Sequence, residues 1–251
     1  MKQYENPLLD VSNLQVHFHL KRGRFLGKPD TVYAVNGVDL CVNRGQTLGI
    51  VGESGCGKTT AALAILKLIA ATSGQMVFNR RDYSHPAPCH CPLLRKEMQV
   101  VFQDSSSSLN PRMRIHRILG DPMLVHDICS KKDKADKVAA LLEQVGLPAE
   151  SARRFPHELS GGQRQRIGIA RAISLNPLLI VADEPVSSLD LSIQAQILNL
   201  LMDIQETTGV AMIMISHDLS VVGHICDRVA VMYLGRIVES GSCKDIFENP
   251  C

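Results

Sequence analysis

A strand, a glycine-rich loop and a helix in direct succession constrain the fold of this chain more than any other feature. Residues 52–59 read Gly-Glu-Ser-Gly-Cys-Gly-Lys-Thr and fit the pattern G-x-x-x-x-G-K-[ST]. An apolar strand pattern precedes them at 47–51, and a helical pattern follows at 60–70. In such a loop the backbone N–H groups converge on phosphate oxygens, and the helix N-terminus adds positive potential. The arrangement predicts a phosphate-binding α/β domain, with a chance glycine-rich turn as the alternative.

The side chains of this segment suit the phosphates of a nucleotide. Lys58 supplies a cation for the β- and γ-phosphates, and the Thr59 hydroxyl can bind Mg²⁺, which prefers oxygen ligands. The predicted nucleotide contacts in this segment are Gly52, Ser54, Gly55, Cys56, Gly57, Lys58, Thr59 and Thr60.

Two carboxylates follow an apolar strand pattern at 178–182. We predict that Asp183 meets the metal through a water molecule and that Glu184 acts as general base on an attacking water. Phosphoryl transfer needs a held phosphate, a metal and an oriented nucleophile, which this pair would complete. An aspartate at a strand end is also a common turn former or helix cap, which is the alternative for Asp183.

Polar residues follow two further apolar strands, at Gln103 and His217. A lone histidine after a strand is usually a hydrogen-bonded structural residue. Because both lie at strand ends in a chain with a nucleotide loop, we interpret them as sensors of the γ-phosphate and the metal, with Gln103 as a metal ligand.

A second candidate anion site lies at residues 158–166, Glu-Leu-Ser-Gly-Gly-Gln-Arg-Gln-Arg. Ser160 and Gln163 have the spacing of a capping box, which marks a helix start. Gly161 and Gly162 then stand in the first turn, whose N–H donors can bind an anion. The local sequence leaves open whether this second site is used.

Short apolar runs alternate with helical patterns along the chain, which indicates an α/β domain with a mainly parallel sheet. The predicted strands lie at 46–51, 98–103, 178–183, 210–216 and 228–234. Two N-terminal segments alternate apolar and polar residues and are typical of antiparallel strands with one wet face. Residues 104–164 read as a helical subdomain inserted between 8–103 and 165–251, and Ser105 to Ser108 read as a turn.

Composition and charge exclude several classes of protein. A formal net charge of +2 gives no electrostatic support for binding nucleic acid. The longest apolar runs are far shorter than the roughly 18 residues of a membrane span, and the N-terminus has no secretory core. The sequence therefore predicts a cytosolic chain with reduced thiols. Residues 85–91 hold His85, Cys89, His90 and Cys91, but their spacing favours a polar surface loop over a zinc site.

The ordered set of motifs resembles an ATP-binding cassette (ABC) subunit across nearly all of residues 8–250. The motifs are the loop at 52–59, Gln103 as Q-loop, Leu-Ser-Gly-Gly-Gln at 159–163 as signature, Asp183 and Glu184 as the end of Walker B, residues 187–190 as D-loop, and His217 as switch histidine. Residues 101–115, 182–205 and 216–239 are further similar to ATPase subunits of oligopeptide, dipeptide and nickel importers. Members usually continue past Glu-Asn-Pro into a longer tail, so we expect a C-terminal extension to be absent here.

The resemblance implies a P-loop NTPase (RecA-like) core with an antiparallel β subdomain and a helical subdomain. It implies ATP and Mg²⁺ as cofactors, with the adenine stacked on Phe18, or on Tyr33 as second candidate. The signature residues Ser160, Gly161, Gly162 and Gln163 of one subunit, and Asp190, would contact ATP held by the phosphate loop of a second.

The partners implied are a second ABC ATPase, identical or related, integral membrane permease subunits and, indirectly, a substrate-binding protein. Such a subunit lies on the cytoplasmic face of the cell membrane and powers import of peptides or nickel. The alternatives are an accessory ATPase of a non-transport complex, of the phosphonate-degradation type, and an ABC ATPase acting on nucleic acid or ribosomes.

Overall fold

The computed structural model describes residues 6–20, 30–84 and 92–248. They form two compact units, one from the described residues within 6–84 and 211–248 and the other from 92–210. In chain order the strands are β1 (Leu9–Leu20), β2 (Asp30–Val42), β3 (Thr47–Val51), β4 (Ser73–Phe78), β5 (Arg81–Asp82), β6 (Met98–Val101), β7 (Leu179–Asp183), β8 (Ala211–Ser216), β9 (Arg228–Tyr233) and β10 (Arg236–Ser242). The helices are α1 (Lys58–Ile65), α2 (Pro92–Glu97), α3 (Ser105–Ser108), α4 (Ile115–Val125), α5 (Lys134–Gln144), α6 (Gly161–Ile173), α7 (Leu191–Thr208), α8 (Leu219–Ile225) and α9 (Cys243–Glu248).

An antiparallel sheet with the strand order β2-β1-β4-β5 forms part of the first unit. β1 pairs with β2 from Leu9 opposite Val42 to Leu20 opposite Asp30, with register shifts on the way. Val11 and Val16 of β1 are almost completely buried, whereas Ser12 and His19 are exposed. This alternation confirms the prediction of antiparallel strands with one wet face.

A parallel arrangement surrounds β3 in the same unit, with β8 on one side and β9 on the other. Every residue of β3 and β8 is buried, as expected of strands covered on both faces. Val51 at the end of β3 pairs with Ser216 at the end of β8. Because the strands are parallel, the glycine loop and His217 both follow the carboxyl-terminal ends of these strands, on the same side of the sheet.

The second unit contains the parallel pair β6 and β7, whose register runs from Met98 opposite Leu179 to Val101 opposite Ala182. Its helices bury apolar side chains such as Leu119 of α4, Leu142 of α5 and Ile167 of α6. The parallel pairing brings Gln103 and the Asp183–Glu184 carboxylates together at the carboxyl-terminal ends of the two strands.

Two features differ from the sequence-based expectations. Ser105–Ser108 forms the short helix α3 instead of a turn, because the Ser108 N–H and the Ser107 hydroxyl both donate to the Asp104 carbonyl. Strands β4, β5 and β10 were not predicted, because they are rich in polar residues and glycine and have no continuous apolar run.

Some predictions fall on residues that the structure does not describe, among them the His and Cys residues at 85–91. Within the described ranges, no group of three or more His, Cys, Asp or Glu side chains could hold a metal ion. No helix among those residues is long and apolar enough to cross a bilayer. Cys41, Cys56, Cys129, Cys226 and Cys243 are free thiols. The predicted boundaries of the helical subdomain at 104–164 stay a prediction.

Candidate nucleotide-binding and catalytic site

The glycine loop between β3 and α1 is shaped by two glycines that no other residue could replace. Gly52 and Gly57 have φ angles of +153° and +109°. A Cβ at Gly52 would lie 2.1 Å from the Met232 carbonyl oxygen, and one at Gly57 would lie 2.1 Å from that of Ala34. The loop therefore packs directly on neighbouring backbone, which fixes its shape.

Lys58 is the buried cation of this loop, with 5% of its surface exposed. Its Nζ donates to the carbonyl oxygens of Gly52 at 2.7 Å and Glu53 at 2.8 Å, and contacts the Cys56 Sγ at 3.8 Å. Among the described residues it has no carboxylate partner. A buried charge without a counter-ion is costly, so an anion held by the loop would be stabilised there.

His217 shares a cavity of about 460 Å³ with Gly52 and Glu53 at the start of the loop, and apolar side chains including Leu219 and Phe247 complete its wall. The next residue, Asp218, caps α8 by accepting hydrogen bonds from the Ser220 hydroxyl and N–H. These bonds lower the pKa of the Asp218 carboxyl. The predicted sensor histidine and the phosphate loop are thus together in the first unit.

Gln103 and Glu184 meet in the second unit, as the register of β6 and β7 requires. The Gln103 Nε2 donates to the Glu184 Oε2 at 2.8 Å and to the Ser187 Oγ at 3.2 Å. Asp183 is the last residue of β7 and is only 9% exposed. Glu184 has a φ angle of +45°, a backbone conformation that residues other than glycine rarely adopt.

The signature segment forms the N-terminus of α6, and the predicted capping box is confirmed. The Ser160 hydroxyl accepts from the Gln163 N–H at 3.3 Å, and the Gln163 side chain accepts from the Ser160 N–H at 3.0 Å. A Cβ at Gly162 would come within 2.7 Å of the Ile193 side chain, so this turn lies close against α7. Asp190 caps α7, since its carboxylate accepts from the Ile193 N–H.

The two candidate adenine platforms lie on the paired strands β1 and β2 and are both exposed, Phe18 by 45% and Tyr33 by 57%. Tyr33 packs edge-on against His17, with ring centroids 4.7 Å apart. Its neighbour Ala34 is the residue whose carbonyl touches the phosphate loop at Gly57. Exposure does not distinguish the two rings, so the stacking of adenine on Phe18 or Tyr33 stays a prediction.

The predicted site residues therefore fall into two sets. The first unit holds Phe18, Tyr33, the loop residues Gly52 to Thr60 and His217, and the second holds Gln103, Ser160 to Gln163, Asp183, Glu184 and Asp190. Sequence reasoning gave Ser187 no role of its own, although it contacts Gln103 and Glu184 directly. The sequence feature that could have indicated a role for Ser187 is its position at the start of the D-loop.

Comparison with known proteins identifies the family of this chain. The family described as "ABC transporter" matches residues 35–187, and the chain belongs to that family. The chain is 47% identical to the oligopeptide transport ATP-binding protein AppF of Bacillus subtilis, over 98% of its own length and 75% of that protein. It is 48% identical to OppF of Salmonella typhimurium and 46% identical to the dipeptide protein DppF of Haemophilus influenzae, in each case over 97% of this chain and 74% of the relative.

Solved structures agree. The ATP-binding cassette MJ0796, a dimer in a post-hydrolysis state bound to ADP and Pi, superposes with a TM-score of 0.81 at 25% identity, covering 94% of this chain and 98% of that one. CbiO1 of Clostridium perfringens, part of the ABC transporter complex cbiONQ, gives 0.80 at 26% identity, covering 98% and 92%. The predicted family and the predicted P-loop NTPase fold are both confirmed.

Proposed function

We propose that this chain is an ATPase subunit that binds and hydrolyses ATP to power import of peptides. The observation that carries the proposal is the buried Lys58 ammonium, which is held by the carbonyl groups of a phosphate loop and has no carboxylate partner among the described residues. Relatives that match nearly the whole chain are named for oligopeptide and dipeptide transport, which favours peptides over nickel as the transported class.

The residues that we assign to Mg²⁺ are Thr59, Gln103 and Asp183, whose side chains carry oxygen atoms, the ligand type that this ion prefers. Gln103 donates its amide nitrogen to Glu184 and Ser187, which leaves its amide oxygen as the atom suited to a cation. Bound Mg²⁺ would neutralise charge on the phosphates, while Glu184 would take a proton from the attacking water.

Two anion sites in one chain are explained if two chains share each nucleotide. The phosphate loop of one subunit would hold ATP, and the capped N-terminus of α6 in a second subunit would face its γ-phosphate. ATP then favours the closed pair, because only that state contacts the γ-phosphate from both sides. A dimeric relative bound to ADP and Pi supports this arrangement, with an identical or related second ATPase as partner.

Integral membrane permease subunits, and through them a substrate-binding protein, complete the proposed assembly. The chain would then lie on the cytoplasmic face of the membrane, with residues 104–164 passing the closure on to the permease. Transport names among the relatives do not favour an accessory ATPase of a non-transport complex.

Removal of Lys58 tests the ATP-binding step. The change Lys58→Ala takes away a charged hydrogen-bond donor worth about 1.5–3 kcal/mol, so ATP affinity measured by calorimetry should fall roughly ten- to a hundred-fold. Lys131→Ala, at an exposed lysine of the second unit, is the matched control and should bind ATP normally. Unchanged affinity in Lys58→Ala would contradict the phosphate-loop assignment.

Transport is tested in cells that lack the gene for this chain. Such cells should lose uptake of labelled peptide and regain it with the wild-type gene but not with Lys58→Ala. Loss of nickel uptake with peptide uptake intact would overturn the assignment to peptides.

A further inference from the structure

Ser187 makes three hydrogen bonds that join Gln103 and Glu184, two of the residues predicted to act in catalysis. Its N–H and its hydroxyl both donate to the carbonyl oxygen of Glu184, at 3.3 and 3.2 Å. The same hydroxyl accepts from the Gln103 Nε2, which also donates to the Glu184 carboxylate. One hydroxyl can donate its proton and accept another simultaneously, so the three residues close a ring.

The ring contains a strained residue. The left-handed conformation of Glu184, at φ +45°, costs of order 1–3 kcal/mol for a residue with a side chain and persists only where the surroundings hold it. On the N-terminal side the buried strand β7 fixes the chain. On the C-terminal side the two donors of Ser187 converge on the Glu184 carbonyl, so the direction of the Glu184 side chain depends on Ser187.

We propose that Ser187 is a positioning residue for ATP hydrolysis, which keeps the Glu184 carboxylate and the Gln103 amide aligned through this ring. The proposal rests on the proposed function, since it takes Glu184 as the general base. General-base catalysis is sensitive to geometry, and a displacement of about 1 Å can cost 10²-fold in rate. ATP binding is separate, because the phosphate loop is held by contacts within its own unit.

The experiment compares Ser187→Ala with Ser187→Thr in the dimer assembled with its permease. Alanine removes the hydroxyl, so kcat should fall about tenfold or more while KM for ATP stays within about twofold. Threonine retains a hydroxyl at an exposed position and should restore most of kcat. Ser130→Ala, which removes an exposed serine hydroxyl bonded to Asp133, is the control and should leave both constants unchanged.

Each other outcome counts against the positioning role. Wild-type or increased kcat in Ser187→Ala overturns it, as does failure of Ser187→Thr to recover activity. If Ser187→Ala lowered kcat and also weakened ATP binding or lowered the melting temperature, Ser187 would have a structural role only. The proposed function would fail if Glu184→Gln still hydrolysed ATP. If Glu184→Gln were inactive and Ser187→Ala fully active, only the positioning role of Ser187 would be refuted.

Discussion

Replacing Glu184 by glutamine is expected to abolish turnover while leaving ATP binding intact. A glutamine amide cannot take a proton from water, and loss of a general base costs roughly 10²- to 10⁴-fold in rate. The substitution preserves shape, and a glutamine oxygen can still accept the hydrogen bond from the Gln103 Nε2. Phosphate release measures the turnover, calorimetry measures the affinity, and size-exclusion chromatography should show an ATP-bound dimer accumulating.

The matched control for this variant is Glu206→Gln, which removes one exposed carboxylate from α7. It should hydrolyse ATP at the wild-type rate and should not accumulate a dimer. Hydrolysis at the wild-type rate by Glu184→Gln would show that Glu184 is not the base.

Replacing Ser160 by arginine is expected to leave ATP binding to the single chain largely intact and to abolish dimer closure and hydrolysis. Ser160 is exposed and caps α6 through the Gln163 N–H. An arginine there removes a cap worth about 1 kcal/mol and places bulk and positive charge at the helix N-terminus, where positive charge is already unfavourable. Calorimetry at low protein concentration measures binding, and sedimentation in the Glu184→Gln background measures closure.

Ser130→Arg is the control of equal size and charge, since it alters an exposed serine of the same unit that is not part of α6. It should close and hydrolyse as the wild type does. If Ser160→Arg instead lost binding to the single chain, the two anion sites would belong to one nucleotide-binding site within the chain, and the shared-site arrangement would be wrong.

Features that depend on neighbouring residues were predictable from the sequence. The strand, loop and helix around residues 47–65 and the Ser160–Gln163 capping box follow from local residue types, and the structure has both. The parallel strands were visible as apolar runs, because burial on both faces requires continuous hydrophobic sequence. Roles of individual residues toward ATP and Mg²⁺ stay predictions, although the chemistry of each residue fits.

Features that depend on contacts distant in sequence were not predictable. The meeting of Gln103 with Ser187 joins residues 84 positions apart, and nothing in the local sequence marks it. The left-handed conformation of Glu184 is likewise unexpected, because residues with a side chain rarely adopt it and here the surrounding structure holds it. Strand β4 escaped notice because its pairing with β1, rather than its own hydrophobicity, makes it a strand.

The capping box of α6 would limit the backbone N–H groups that the predicted second anion site can offer. It occupies the N–H groups of Ser160 and Gln163, and the Arg164 N–H donates to the Ser160 carbonyl. In this turn the backbone donors outside these bonds are the N–H groups of Gly161 and Gly162, beside the hydroxyl of Ser160 and the side-chain amide of Gln163. These donors are gathered at one helix end, so the segment would contact a single tetrahedral group, the end of a polyphosphate, and would not sense its length. Discrimination between triphosphate and diphosphate would thus depend on where the phosphate loop places the last phosphorus atom.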